Sequence, residues 1–255
     1  MNAASSSNSL AECPVAGPRR ALASPPCPAT RPLPRHAPAI GGFTPFSTAD
    51  WPGTLAAVVF IAGCPWRCHY CHNPALQTRG ADYDWRDVQR FLATRRGLLD
   101  GVVFSGGEPL SEPRLYEMVD TARALGFRIG LHTAGIYPAR LAALLPALDW
   151  VGLDIKADAA GYDAITGRRN SAGPAVQSLA HLLASGCDAE CRITWHPDWL
   201  DEPRLLALAT ELSGRGVRRF AVQNARTDAT RAAPARLSTP MQHALRALFP
   251  TFECR

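Results

Sequence analysis

Cys64, Cys68 and Cys71 crowd into one short segment, AGCPWRCHYCHNP, at CxxxCxxC spacing. Thiolates so close along the chain converge as soft metal ligands. A structural zinc site wants four ligands, and a cubane held wholly by protein wants four cysteines. Three thiolates alone therefore describe an iron–sulfur cluster with one iron left open, and an open iron calls for an exogenous ligand. The zinc alternative recruits His69 or His72 as the fourth ligand. A cluster of merely packed thiols is a third reading. Cys187 and Cys191 repeat the CxxxC spacing, but no third cysteine follows until Cys254, and they read as buried structural thiols. Eight cysteines in 255 residues are too dilute for a disulfide-stapled scaffold.

Other chemistry-bearing residues recur at the ends of apolar runs. Ser105, Gly106, Gly107, Glu108 and Pro109 follow one run, where glycines allow close approach of a ligand and a carboxylate suits a cation; the plain alternative is a tight turn. Asp154 and Lys156 close another run and share one face at period two, as ligand contacts or as a structural ion pair. Of 27 basic residues, Lys156 is the single lysine. A chain that uses arginine everywhere else has kept one compact ammonium there. Arg192, Thr194 and His196 also alternate on one face. Arg192 would meet either a ligand carboxylate or an internal acid such as Asp154 or Glu108. Gln223 ends the last run.

The elements that must position these groups alternate short β-branched runs with amphipathic stretches, the signature of repeated βα units. Six strands are expected, over residues 54–62, 101–104, 128–132, 150–155, 190–195 and 220–223. Helices are expected over 84–99, 112–125, 139–145, 174–184, 202–213 and 240–248, with Asp84, Ser111, Asp201 and Thr239 as caps. Six parallel units fit a partial (β/α)6 barrel or a doubly wound sheet, and in both the working groups gather at the carboxyl ends of the strands. Residues 1–40 read as a disordered tail rich in Pro, Ser and Ala, ahead of one domain over 41–255. The tail holds four Arg and one Glu, so most of the +5 charge belongs to it and not to a nucleic-acid surface. No apolar run is long enough to cross a bilayer and no secretory signal is evident, which points to the cytoplasm.

The cysteine loop, with Tyr70 just before its last cysteine, resembles the signature of radical S-adenosylmethionine (SAM) enzymes. In that family the three cysteines hold a [4Fe–4S] cluster whose fourth iron takes the amino and carboxylate groups of the cofactor's methionine. The resemblance runs from about Gly41 to Gln223 and implies an α/β partial barrel. It implies that Cys64, Cys68 and Cys71 are cluster ligands and that Tyr70 lies along the adenine. Gly106, Gly107 and Glu108 match the family's Gly-Gly-Glu element beside the cofactor's ammonium. Thr133, Asp154, Lys156 and Arg192 become further cofactor contacts. His132 departs from the Asp-Thr-Asn-Gly pattern of some relatives. A neutral imidazole does not replace aspartate as a hard-cation ligand, which speaks against a metal ion beside the methionine.

The pattern Asp50-Trp51-Pro52-Gly53, followed by the loop ending Tyr70-Cys71-His72-Asn73, resembles glycyl radical enzyme activases. It is most similar to activators of anaerobic ribonucleoside-triphosphate reductase, of the longer, second type. That resemblance implies a glycyl radical enzyme as partner and a low-potential electron donor such as flavodoxin or ferredoxin. Alternatives are a radical enzyme acting on a small molecule or peptide, and, in a different class, a zinc- or cluster-bearing binding module.

Overall fold

The computed structural model describes residues 37–225 and 235–255, all within one compact unit, Pro34–Arg255. The tail expected over 1–40, with Cys13 and Cys27, lies outside the described residues up to position 36. The described chain packs from just before Gly41: the Ala39 amide donates to Glu112 at 3.0 Å, and Ile40 is fully buried.

Eight strands form one sheet: β1 (Ile40–Ser47), β2 (Ala56–Ile61), β3 (Gly101–Gly106), β4 (Arg128–Thr133), β5 (Trp150–Asp154), β6 (Asp188–Trp195), β7 (Arg219–Asn224) and β8 (Thr251–Cys254). They lie side by side in chain order, with β1 antiparallel to β2 and every later pair parallel. Each crossover thus advances one strand in the same direction. A doubly wound sheet reverses its order at a switch point; this one does not, so the fold is an open partial barrel. The helices are α1 (Trp85–Ala93), α2 (Leu115–Ala124), α3 (Pro138–Leu144), α4 (Tyr162–Thr166), α5 (Ala172–Ser185), α6 (Glu202–Gly214) and α7 (Thr239–Leu248).

All six expected strands are present, and β1, β8 and the short α4 are additional. β1 contains Gly41, Gly42 and Pro45, residues that argue against a strand. It tolerates them as an edge strand, with the register irregular between Thr44 and Ser47 around the proline. Gly41 also lets the strand approach Leu76, which would stand 2.6 Å from an added Cβ.

Asp84 and Asp201 cap their helices as expected, accepting from Arg86 N and Arg204 N. Ser238, not Thr239, caps α7. Ser111 caps no helix: it ends a 3-10 turn, and its hydroxyl donates to the Gly63 carbonyl at 3.3 Å. Helix α1 stops at Ala93, well short of Leu99, because the Thr94 hydroxyl donates back to the Phe91 carbonyl and Gly97 turns the chain at φ +75°.

The two sheet faces differ. Val59, Ile61, Phe104, Leu131 and Leu153 face the helices in the larger core. On the concave face a smaller core of Ala56, Val58, Val103, Trp51 and Trp150 fills the lower end of the barrel. The Trp51 and Trp150 rings stack at 5.7 Å and 18°. An added Cβ at Gly101 or Gly130 would lie within 3.0 Å of Trp51, and one at Gly152 would lie 2.9 Å from Trp150. Three glycines thus make room for two indoles, whose apolar burial contributes on the order of 5 kcal/mol gross each.

Candidate functional site

Above the tryptophan plug, every parallel strand from β2 to β7 sends a side chain into one cavity of about 410 Å³: Phe60, Ser105, His132, Asp154, Arg192 with Thr194, and Gln223. This follows from period-two alternation: Phe60, Ser105, His132 and Asp154 each sit two residues beyond a concave-face core position or glycine on their strands, and Arg192 and Thr194 share one face of β6. The remaining wall comes from loops, including Asp50 before β2 and Cys64, Cys68, Tyr70 and Cys71 after it. Of the residues singled out by sequence, Cys64, Cys68, Cys71, Tyr70, Gly106, Gly107, Thr133, Asp154, Lys156 and Arg192 all line this cavity.

The cysteine loop is moored by backbone. Gly63 N donates to Leu76 O at 2.8 Å and Cys64 N to Gln77 O at 3.1 Å. From β3, Gly107 N donates to Ile61 O at 2.8 Å and Glu108 N to Gly63 O at 2.9 Å. A Cβ at Gly107 would lie 2.6 Å from Gly63 O, and Gly106 sits at φ +115°. The two glycines therefore let the end of β3 dock against the loop as well as face the cavity. The three thiols are free and partly exposed. Burial pushes Cys64 up to about 11; it raises Cys68 too, against the pull of the Lys156 ammonium.

Among the described residues, no three His, Cys, Asp or Glu side chains could hold a single metal ion. A cubane asks for something else, since it spreads its thiolates over separate irons. Three unpaired thiols lining one cavity, near an ammonium, fit such a cluster, which Cys64, Cys68 and Cys71 would hold. His69, one zinc-ligand alternative, packs edge-on against Trp199 at 4.6 Å and does not line the cavity.

The same cavity holds a charged group. Asp154 accepts from Arg192 Nε at 2.6 Å and from Lys156 Nζ at 3.2 Å. Burial works against the carboxylate, but the guanidinium and then the ammonium outweigh it and hold Asp154 well below the usual carboxylate range. Burial likewise opposes the Lys156 charge, and Asp154 more than restores it. Arg192 thus finds the internal acid that was one of its two expected partners. His132 Nε2 lies 2.7 Å from the Asp50 carbonyl and Nδ1 3.0 Å from the Ser105 hydroxyl. A carbonyl only accepts and this contact is the shorter, so Nε2 carries the proton and Nδ1 accepts from Ser105, which makes the 3.3 Å approach of Arg192 Nη1 to Nε2 a charge contact and not a hydrogen bond. Burial, seconded by the Arg192 charge, lowers the imidazole to about 3, leaving it neutral.

Glu108 stands behind the wall. It is fully buried and accepts from Thr133 Oγ1 at 2.7 Å, Ala134 N at 3.0 Å and Leu110 N at 3.0 Å. Burial pushes it up to about 7 against those three bonds. Its direct work is to fix the end of β4, which carries Thr133 to the cavity.

Tyr70 stacks on Trp199 at 4.8 Å and 22°, and Lys156 Nζ lies 5.9 Å from the Tyr70 ring centre. His196, expected to share a strand face with Arg192 and Thr194, lies just past the end of β6 and packs against Trp199 at 5.0 Å instead of reaching the cavity. Cys191 is buried in β6 and the Cys187 thiol sits 3.6 Å from Leu148 O, both as packed thiols, pushed up to about 12 and 11 by burial. Sequence gives Ser105 and Asp50 only as parts of motifs, with no site role, and gives Phe60 and Trp199 no place in the site at all. Strand alternation could have found Phe60 and Ser105; Asp50 and Trp199 sit on connections whose course no local pattern reveals.

A protein of Methanocaldococcus jannaschii named as a glycyl-radical enzyme activating enzyme is 28% identical over 176 residues, covering 64% of this chain and 70% of that one. The pyruvate formate-lyase-activating enzyme of Clostridium pasteurianum is 35% identical over 127 residues, 47% of this chain and 53% of its own. The PqqA peptide cyclase of Gluconobacter oxydans is 34% identical over 160 residues, 58% and 44%. This chain thus spans about half the length of the latter two. Among solved structures, Streptococcus suis SuiB bound to precursor peptide SuiA superimposes with a TM-score of 0.61 at 14% identity, over 78% of this chain and 48% of that one. The family model of the radical SAM superfamily matches residues 58–209, from β2 into α6, and takes in the cysteine loop and the ends of β2 to β6 that line the cavity. With the partial barrel and the three-thiol wall, this match establishes that the chain belongs to the radical SAM superfamily, whose members use a [4Fe–4S] cluster and S-adenosylmethionine.

Proposed function

We propose that this protein is a cytoplasmic glycyl radical enzyme activase, of the kind that serves anaerobic ribonucleoside-triphosphate reductase. The observation that carries the reading is the pairing of two segments. The Asp50-Trp51-Pro52-Gly53 turn brings Asp50 to the wall of the same cavity that is lined by the end of the cysteine loop, Tyr70-Cys71-His72-Asn73. The similarity to two proteins named as activating enzymes supports it.

When bound, the cluster and S-adenosylmethionine supply reductive cleavage of a carbon–sulfur bond, giving a carbon radical able to take hydrogen from a glycine Cα. The chain's residues do the positioning. Cys64, Cys68 and Cys71 hold the cluster. Lys156 and Arg192, both committed to Asp154, present fixed positive charge toward a carboxylate. Tyr70, backed by Trp199, offers a ring face to the adenine, while Gly106, Gly107 and Thr133 let the cofactor lie close to the backbone. Neutral His132 holds Asp50 in place and donates no charge to the floor.

The test is anaerobic: reconstituted protein, S-adenosylmethionine and a low-potential reductant are incubated with a candidate glycyl radical enzyme, and electron paramagnetic resonance follows the partner. A glycine-centred doublet on the partner is expected. A second reading, a radical enzyme that modifies a peptide, is favoured by the similarity to the PqqA peptide cyclase. Cofactor cleavage that produces a covalently altered peptide and no partner radical would establish that reading instead.

A further inference from the structure

We infer that the outer side of the cysteine loop, with Arg67, Arg168 and Arg169, is the docking surface for an acidic one-electron carrier protein. The inference rests on the activase reading, which requires an electron to reach the cluster.

Arg67 lies inside the loop, between Trp66 and Cys68, and is exposed. Its guanidinium folds back on the loop and donates to Cys64 O at 2.5 Å and Trp66 O at 2.8 Å. Its amide donates to Thr166 O at 2.8 Å, tying the loop to the end of α4. Gly167, at φ +63°, then turns the chain with its Cβ position only 3.3 Å from Arg67 O. This brings Arg168 and Arg169 out beside the loop, both exposed.

The nearby acid, Asp163, feels the Arg169 charge but forms no ion pair with any of the three arginines. Its carboxylate accepts from Asn170 N, Ser171 N and Ser171 Oγ, each at 2.8 Å. No ion pair among the described residues involves Arg67, Arg168 or Arg169. On the loop's other flank, Arg79 is paired with Glu112 at 2.7 Å. The three open cations therefore mark one side of the loop that carries the cluster ligands.

None of the three arginines lines the cavity, so a protein docked on them leaves the cavity to its own substrate. The step is a one-electron transfer: the carrier is oxidised by one electron, the cluster is reduced from its 2+ to its 1+ state, and no proton moves. Encounters of this kind use small interfaces and depend on charge steering, which an open cluster of guanidinium groups provides for an acidic partner.

The test uses the reconstituted full chain with reduced flavodoxin as probe in stopped-flow. Arg168→Glu with Arg169→Glu should lower the second-order rate of cluster reduction at least tenfold at low salt and flatten its salt dependence. The milder Arg168→Gln with Arg169→Gln should fall between. Photoreduced deazaflavin, a small reductant, should reduce wild type and variants at equal rates. Binding of oxidised flavodoxin to the reconstituted protein should weaken in parallel. Unchanged rates with flavodoxin overturn the inference, and so does an equal loss with deazaflavin, which would mean that the arginines act on the cluster itself. Absence of a reducible cluster would sink the activase reading, and the binding isotherm would still decide the docking surface.

Discussion

Trp199, from the connection after β6, lies flat against the back of Tyr70 at 4.8 Å, so the ring that closes the cysteine loop is supported from the opposite side of the barrel mouth. The same indole makes a T-shaped contact with His69, also in the loop, at 4.6 Å. One side chain therefore braces two residues of the segment that holds the cluster ligands. Trp199→Ala should cost about 2–3 kcal/mol of stability, below the range for a fully buried Trp because Trp199 is only partly buried. It should also weaken S-adenosylmethionine binding while iron content stays near wild type, and Trp199→Phe should restore most of that affinity. Isothermal titration beside a melting curve checks this; loss of stability with unchanged affinity would reduce Trp199 to packing.

Cys64→Ala, Cys68→Ala and Cys71→Ala should each abolish assembly of the cluster, read as iron per chain and by absorbance after anaerobic reconstitution. Gly107→Ala should do nearly as much without touching a ligand, because its Cβ would strike Gly63 O and push the loop off β3. Cys187→Ala and Cys191→Ala should keep full iron, with a stability cost of about 1 kcal/mol for the buried Cys191. Iron lost from either of the last two would show a second role for those thiols.

Lys156 and Asp154 should respond differently although they form one pair. Lys156→Ala leaves Asp154 still bound by Arg192, so folding should suffer little. Cofactor affinity should fall by about 1.5–3 kcal/mol, ten- to a hundredfold, with iron retained. Lys156→Arg should rescue only partly, since a planar fork does not reproduce a compact ammonium. Asp154→Ala leaves two buried cations unpaired and should destabilise by about 3–5 kcal/mol. Equal stability loss in both variants would contradict this asymmetry.

His132 sets a pH dependence with a definite sign. Its folded-state value is lowered to about 3 from an ordinary 6.5, so below 6.5 the unfolded chain binds a proton that the folded chain refuses. Stability associated with this group is complete above pH 6.5 and is lost as pH falls toward 3, by up to about 5 kcal/mol. His132→Gln has no such titration, so the gap between wild type and variant should move against wild type on acidification. Melting temperatures taken from pH 7.5 to 4.5 decide; a constant gap would mean that the imidazole is already charged in the fold.

Much of this site was legible because its residues obey local rules. The three thiols are neighbours in sequence, and the six strands that carry the walls are short apolar runs closed by polar residues at period two. What stayed hidden depends on partners far along the chain. β1 breaks local rules with two glycines and a proline, and holds because β2 supplies a ladder on one side. Glu108 reads as a ligand from its type and neighbours. Only the fold reveals that Thr133 and Ala134, from the next strand, claim its oxygens. The same holds for Trp199, whose importance comes from where a loop crosses.

The stacked tryptophans under the cavity also act as a depth gauge. The His132 ring rests 5.4 Å from that of Trp150, which lies on Trp51, so the height of the floor is set by the thickness of two indoles and not by the strand ends themselves. Anyone wishing to admit a bulkier guest should shorten this stack from below and leave the walls alone. Because Gly101, Gly130 and Gly152 were shaped around those rings, such trimming would open a void that larger residues at these three positions could be selected to fill.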